Sequence, residues 1–312
     1  MEATLVPAHG YEMSWVRFSG LRGKGLLRAL ALPANLLLAF WQSARAILSR
    51  RPDVVLGMGG YISFPGGMMA ALLWRPLAIH EQNSVAGLAN KVLSRLADRV
   101  LQAFPDALPG AQISGNPVRK EIIALASPRE RFDKRAGRIK LLVLGGSLGA
   151  QALNETVPRA LALLPAETRP EVTHQSGAKH LETLQQAYAA AGVRAETFAF
   201  IDDMAKRYGE ADVVICRAGA LSVAELACAG VASILVPFPH AVDDHQTSNA
   251  KFLCAGGASI LLPQAELSPD RLAELLRGLT REQLLEMAEK ARVLGKPNAT
   301  EAVAQACMEL AQ

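Results

Sequence analysis

The sequence predicts an α/β protein of doubly wound parallel sheets, and three observations carry that prediction. Short, near-continuous apolar runs alternate with longer segments of helical period, the pattern of parallel strands covered by helices on both faces. Several of these runs end in glycine-rich turns that lead into the next helix, the turn with which doubly wound units usually begin. Finally, 312 residues that are 50% hydrophobic and 20% charged suffice for two modest domains and are too apolar for a disordered chain.

Taken in order, residues 1–10 (MEATLVPAHG) read as the tail of a helix or a loop, and Met13 to Phe18 is the first plausible strand. It lacks the glycine turn with which a doubly wound domain usually begins, so the first unit of the fold is expected to be missing. Strands follow at Asp53 to Gly57, Pro76 to His80 and Asp98 to Gln102. The charged stretch Ser127 to Arg138 (SPRERFDKRAGR) has no apolar periodicity and reads as a connecting surface segment, with a domain boundary just before it. The expected division is residues 1–121, residues 122–296, and residues 297–312 as a last helix returning to the first domain after the break at Gly295 to Pro297. In the second domain, strands are expected at Ile139 to Leu144, Asp212 to Cys216 and Ala232 to Pro237, and everything beyond Ser268 is helical.

Composition excludes several classes. With 33 basic and 29 acidic residues the net charge of +4 is too small to argue for nucleic acid. The cysteines at 216, 228, 254 and 307 lack CxxC spacing and metal-like grouping with the histidines, which argues against zinc or a disulfide framework. The most apolar stretch, Leu26 to Trp41, is interrupted by Arg28, Pro33 and Asn35 and falls short of the roughly 20 clean residues of a membrane span. From Arg17 to Arg51, however, leucines, Phe40 and Trp41 stand among Arg17, Arg22, Lys24, Arg28, Arg45, Arg50 and Arg51 without a carboxylate. This suits either an anionic bilayer surface, where each cation adds about 1 kcal/mol, or a core helix with a solvated basic face.

The chemistry concentrates at strand ends. Gly145, Gly146 and Ser147 open a turn before the helical segment from Gln151, an arrangement that offers backbone N–H groups to a diphosphate, although tight α/β turns need glycine in any case. A second such turn, Cys216 to Glu225 (CRAGALSVAE), sets Glu225 near a helix start, where it can accept both protons of a ribose diol or serve as an ordinary helix-start glutamate. In the first half, Leu56 to Gly67 (LGMGGYISFPGG) follows a strand, and His80-Glu-Gln-Asn83 is read as a rim segment at the end of the next. In Asp243 to Asn249 (DDHQTSN), Asp243 or Asp244 is a candidate helix cap, and Gln246 and Asn249 are candidates for sugar hydroxyls. There is no DxD triplet, so no metal is expected at a diphosphate, and helix termini would take the leaving-group charge.

Taken together, GMGGYISFPGG, HEQN, ISGNPVR, GGSLGAQALN, FIDDM, CRAGALSVAELACAG and DDHQTSNA resemble, in order and over essentially all of the chain, the MurG family of peptidoglycan N-acetylglucosaminyltransferases. The resemblance implies a GT-B architecture of two Rossmann-like domains facing a cleft. It also implies inverting, metal-independent transfer, without a cofactor, of N-acetylglucosamine from UDP-GlcNAc to the muramyl 4-hydroxyl of lipid I. By position, Asn83 and Arg119 match donor contacts, Ser147 a diphosphate-contacting serine, and Ile201 a main-chain contact to uracil. Ala220, Leu221, Ser222, Val223, Ala224 and Glu225 match the segment that holds diphosphate and ribose, and Gln246 a sugar-hydroxyl contact. The implied place is the cytoplasmic face of the inner membrane, through the Arg17 to Arg51 region, beside other cell-wall synthesis proteins.

The resemblance departs at the front. Family members begin with a strand and a GGTGGH loop whose histidine lies at the reacting sugar, and Met1 matches residues just beyond that block. His9 lies in a segment the family also carries and does not replace it. The catalytic residue is therefore expected outside this sequence, with Tyr61 and Glu81 as the candidates left near Asn83. The alternative expectation is an inactive nucleotide-sugar-binding or scaffold protein.

Overall fold

The computed structural model describes residues 2–18, 32–133, 135–146 and 150–312. The chain divides into two compact units: residues 1–82, 86–114 and 301–312 form one, and 83–85 with 115–300 the other.

In the first unit, helix α1 (Glu2–Ala8) opens the chain, and residues 13–18 are extended without joining a sheet, so the strand expected there does not form. Helix α2 (Leu32–Arg50) precedes a parallel sheet of β1 (Val55–Gly57), β2 (Leu77–Glu81), β3 (Arg99–Gln102) and β4 (Gln112–Ile113), in that order, with α3 (Ser63–Leu72) and α4 (Leu88–Leu93) as crossovers. The core-helix reading of the basic stretch holds for one face of α2, and another face is apolar and exposed. Ala39, Ser43 and Ile47, four residues apart, are buried, whereas Leu37, Leu38, Trp41 and Leu48 are exposed beside Arg45, whose guanidinium lies 5.7 Å from the Trp41 ring centroid. Arg22, Lys24 and Arg28 lie outside the described residues. No helix among the described residues is long and apolar enough to cross a membrane.

The second unit opens with the short helices α5 (Lys120–Ile123) and α6 (Pro128–Phe132). Its six parallel strands are β5 (Lys140–Leu144), β6 (Glu171–Gln175), β7 (Glu196–Phe198), β8 (Val213–Cys216), β9 (Ala232–Leu235) and β10 (Ser259–Leu261), in the order β10-β9-β8-β5-β6-β7. The order reverses between β5 and β8, so the crossovers diverge there and leave a crevice beyond the carboxyl ends of those two strands, where ligands of doubly wound sheets bind. Helices α7 (Gln151–Ala162), α8 (Leu181–Ala190), α9 (Met204–Glu210), α10 (Ala220–Ala229) and α11 (His245–Ala255) connect the strands. Three further helices close the chain: α12 (Pro269–Gly278), α13 (Arg281–Leu294) and α14 (Ala299–Leu310). Contacts group the end of α14 with the first unit, where Val303 and Ala306 pack on Leu101.

The charged stretch 127–138 is not a bare connector. Ser127 and Glu130 form a reciprocal capping box at α6, and the arginines behind it point inward. Arg131 donates to the carbonyls of Tyr208, Ala229 and Gly230, and Arg135 to those of Gly209 and Ala211 and to the fully buried Asp212. The guanidiniums thus satisfy the orphan carbonyls at the ends of α9 and α10. Burial, with Arg135 and Arg292 nearby, lowers the Arg131 pKa to about 10.

Gly230 ends α10 at φ +61°, and a Cβ there would lie 2.8 Å from Pro128 Cγ and 3.0 Å from Arg292 Cβ. Gly230→Ala is therefore expected to cost about 2–3 kcal/mol, from left-handed strain plus overpacking. Urea denaturation measures this, and a loss under 0.5 kcal/mol (roughly the scatter of a neutral surface change) would contradict the packing described.

Candidate functional site

The site of the second unit is assembled at the switch point from three turns. Strand β5 runs into Gly145 and Gly146, the latter at φ +76° with open space where a Cβ would be. The N–H groups of these two glycines are not offered to a ligand. Gly145 donates to the Gln175 carbonyl at 2.9 Å and Gly146 to Gln175 Oε1 at 3.0 Å, while Gln175 Nε2 returns bonds to the carbonyls of Gly146 and Ala199, each at 3.0 Å. Any diphosphate donors of this turn thus lie beyond Gly146. Ser147 lies outside the described residues.

The second turn, after β8, carries Arg217 and Gly219 into α10. Within the matched segment, helical periodicity separates the roles: Ala220 and Val223 are buried in the core, Leu221 is exposed, and Ser222, Ala224 and Glu225 are half-buried. The Val223 side chain is fully enclosed, so only its backbone is available to a ligand. Glu225 Oε1 accepts from Arg119 Nη2 at 2.9 Å and Nε at 3.2 Å, and Oε2 accepts from the Tyr208 hydroxyl at 3.2 Å. The Arg119 side chain is 49% exposed and that of Glu225 19%, so the pair is open to solvent on one side. The phenol of Tyr208, which is 1% exposed, is held well above its ordinary pKa, first by burial and then by the Glu225 charge. The same two causes push the Cys216 thiol up to about 12, so it stays protonated and is not a nucleophile.

The third turn, residues 199–204, brings Phe200 and the buried Ile201 to the same place, and Asp203 caps α9 by accepting from Lys206 N at 3.0 Å. Arg119, Gly146, Gln175, Ile201, Tyr208, Ser222 and Glu225 line one concavity of about 230 Å³. Arg217 borders both this concavity and a neighbouring one lined by Gln151, Phe238, Gln246 and Gln264. It donates to the carbonyls of Val236 and Pro237 at 3.2 Å and to Gln264 Oε1 at 2.6 Å, which fixes the loop after β9. Gln246 Oε1 accepts from Phe238 N at 2.9 Å, an anchor that orients its amide at the second concavity.

Several expectations are corrected. Asn249 is fully buried: its oxygen accepts from Ser84 N at 2.9 Å and Ser84 Oγ at 2.8 Å, and its nitrogen donates to the Ala218 carbonyl at 3.2 Å and Asn83 Oδ1 at 3.4 Å. It ties down the 83–84 segment and has no group left for a sugar. Asp243 and Asp244 adopt left-handed backbone conformations and do not cap α11; the Asp244 carboxylate takes the Thr247 hydroxyl at 2.7 Å. In HEQN, His80 and Glu81 lie within β2 and are buried rather than at a rim. Glu81 Oε2 accepts from Asn90 Nδ2 at 2.9 Å and Gly87 N at 3.2 Å, which holds the start of α4 and makes it a poor base candidate. Tyr61 is exposed, with its ring centroid 5.9 Å from that of Phe18.

The residues that sequence reasoning did not single out are Gln175, Tyr208 and Arg217. Gln175 is the last residue of its strand and stands within a polar run, His174 to Gly177; the signal is of the same kind as HEQN but lies on a strand too polar to be recognised. Among the described residues no group of three or more His, Cys, Asp or Glu is placed to hold a metal.

A parallel six-stranded sheet with a carboxylate and a guanidinium converging on its switch point defines a nucleotide-binding α/β protein. Residues 140–305 match the Glycosyltransferase family 28 C-terminal domain and residues 1–102 the Glycosyltransferase family 28 N-terminal domain. The chain belongs to glycosyltransferase family 28, and its fold is the two-domain GT-B fold. It is 64% identical to the UDP-N-acetylglucosamine--N-acetylmuramyl-(pentapeptide) pyrophosphoryl-undecaprenol N-acetylglucosamine transferase of Dechloromonas aromatica (strain RCB), across 100% of this chain and 88% of that one. The enzyme of the same name from Nitrosospira multiformis is also 64% identical, across 99% and 88%. The crystal structure of Acinetobacter baumannii MurG is similar with a TM-score of 0.85 and 42% identity, across 99% of this chain and 88% of that one. The kitacinnamycin glycosyltransferase, at 18% identity and a TM-score of 0.67, shares the fold.

Proposed function

We propose that the chain transfers N-acetylglucosamine from UDP-GlcNAc to the muramyl 4-hydroxyl of lipid I, giving lipid II, with inversion and without a metal. The observation that carries this reading is the meeting of Arg119, Ile201, Ser222 and Glu225 around one concavity at the switch point, supported by the names of relatives 64% identical to the chain. In it, Glu225 reads the ribose diol, the N-terminal turn of α10 and Arg119 take the diphosphate charge, Ile201 meets uracil through its backbone and Gln246 meets the sugar. Asn83, anchored by Asn249, Ser147, and Leu221 and Ala224 flanking Ser222 complete the proposed donor contacts. Residues 1–121 are assigned to the acceptor and membrane side, 122–296 to the donor, and 297–312 to a helix returning to the first part. The exposed Leu37, Leu38, Trp41 and Leu48 beside Arg45 and Arg50 support seating on the cytoplasmic surface of an anionic membrane.

UDP release that depends on a lipid I analogue is the expected result. UDP binding without acceptor-dependent release would leave a nucleotide-sugar-binding protein instead. For the donor, Glu225→Ala is expected to weaken UDP binding by about 1–3 kcal/mol through loss of charged hydrogen bonds. An unchanged calorimetric isotherm would refute the ribose role.

A further inference from the structure

We propose that Tyr208 is a positioning residue for nucleotide recognition: its hydroxyl fixes the Glu225 carboxylate so that the remaining acceptor site of Oε2 stays directed to the ribose diol. This rests on the ribose role proposed for Glu225. A carboxylate offers about four acceptor sites. In the structure Arg119 makes two bonds to Oε1 and Tyr208 one to Oε2, so one acceptor site remains, on Oε2, and Oε1 becomes open to a second hydroxyl when Arg119 turns to the diphosphate.

The two partners hold Glu225 in different ways. Arg119 is half exposed, so its grip is screened by water and its long side chain can turn to another anion. Tyr208 approaches from the core, is enclosed, and has one polar outlet: among the described residues Glu225 is the partner of its hydroxyl. Packing alone would be met by phenylalanine, and burying a phenol without a bond is costly, so the oxygen is explained by what it orients. Helix α9 is itself secured behind this residue, with the Tyr208 carbonyl accepting from Arg131 Nη1 at 3.1 Å.

The test compares UDP with 2′-deoxy-UDP by calorimetry on the full chain, in wild type, Tyr208→Phe and Glu225→Ala. Phenylalanine fills the same space and keeps the fold. Tyr208→Phe is expected to weaken UDP about five- to tenfold while leaving 2′-deoxy-UDP within about twofold, so that the preference for ribose falls. If both nucleotides weaken alike, or neither changes while Glu225→Ala abolishes the preference, Tyr208 serves packing only and the proposal is overturned. If Glu225→Ala itself leaves the preference intact, the failure lies in the ribose role beneath it.

Discussion

Replacing Asp212 by alanine is expected to lower the free energy of unfolding by about 3–5 kcal/mol, the range for removing one partner of a buried ion pair. Asp212 is fully buried immediately before β8, and its carboxylate has three partners. Arg135 Nη1 donates to Oδ1 at 2.5 Å, while Lys140 N and Arg281 Nη2 donate to Oδ2 at 2.8 and 3.4 Å. Alanine leaves the Arg135 guanidinium, itself 10% exposed, with its carbonyl bonds but without the Asp212 counter-charge, and leaves the first N–H of β5 without its acceptor. Asp212→Asn keeps one acceptor and should fall between wild type and alanine. Because the residue precedes β8 whereas the ligand turn follows it, UDP affinity per folded molecule should be unchanged. Urea midpoints that coincide for Asp212→Ala and wild type would contradict this account.

Stability is expected to fall on mild acidification because of His174. The imidazole is fully enclosed between the Tyr188 hydroxyl, 2.8 Å from Nδ1, and Asn154 Oδ1, 3.1 Å from Nε2, and burial lowers its pKa from 6.5 to about 3. The folded state keeps the ring neutral while the unfolded chain takes up a proton below pH 6.5. The contribution is thus full above about pH 6.5 and is lost as pH falls toward 3. Over two units, from pH 7.5 to 5.5, this one group removes on the order of 1 kcal/mol, because the unfolded chain binds a proton there that the folded state does not. His174→Gln, which retains both a donor and an acceptor, should flatten that slope. An equal slope in wild type and variant would assign the acid sensitivity elsewhere.

What the sequence shows and hides follows from burial. Strands β5, β8 and β9 are legible because the middle of a covered parallel sheet demands apolar runs such as Leu141 to Leu144 and Val213 to Cys216. Strand β6 is not, because Thr173, His174 and Gln175 are polar, with the bonds of His174 and Gln175 satisfied inside the protein. Strands β4, β7 and β10 are two or three residues long and too short to show a period. At the site, Glu225, Arg119 and Ile201 stand in recognisable motifs, and the structure brings them together. Asn249 and Glu81 stand in equally recognisable motifs but prove to be internal fasteners, since a polar residue beside a glycine turn looks the same whether its partner is a ligand or the backbone. Tyr208 carries no motif signal because its role exists only through contact with a residue 17 positions away.

The arginines behind α10 also bear on how the protein can change over evolutionary time. Arg131 and Arg292 grip the carbonyls at the rear of that helix, and Leu226, Ala227, Cys228 and Ala229 are sealed in the core. At the front, Leu221 is exposed and Ser222 faces the concavity. Substitutions at those two positions meet a scaffold anchored from the opposite end, so a lineage can retune its choice of nucleotide or sugar there at little cost to folding. The rear half, where each change removes packing or a guanidinium contact, is the part that drift should leave alone.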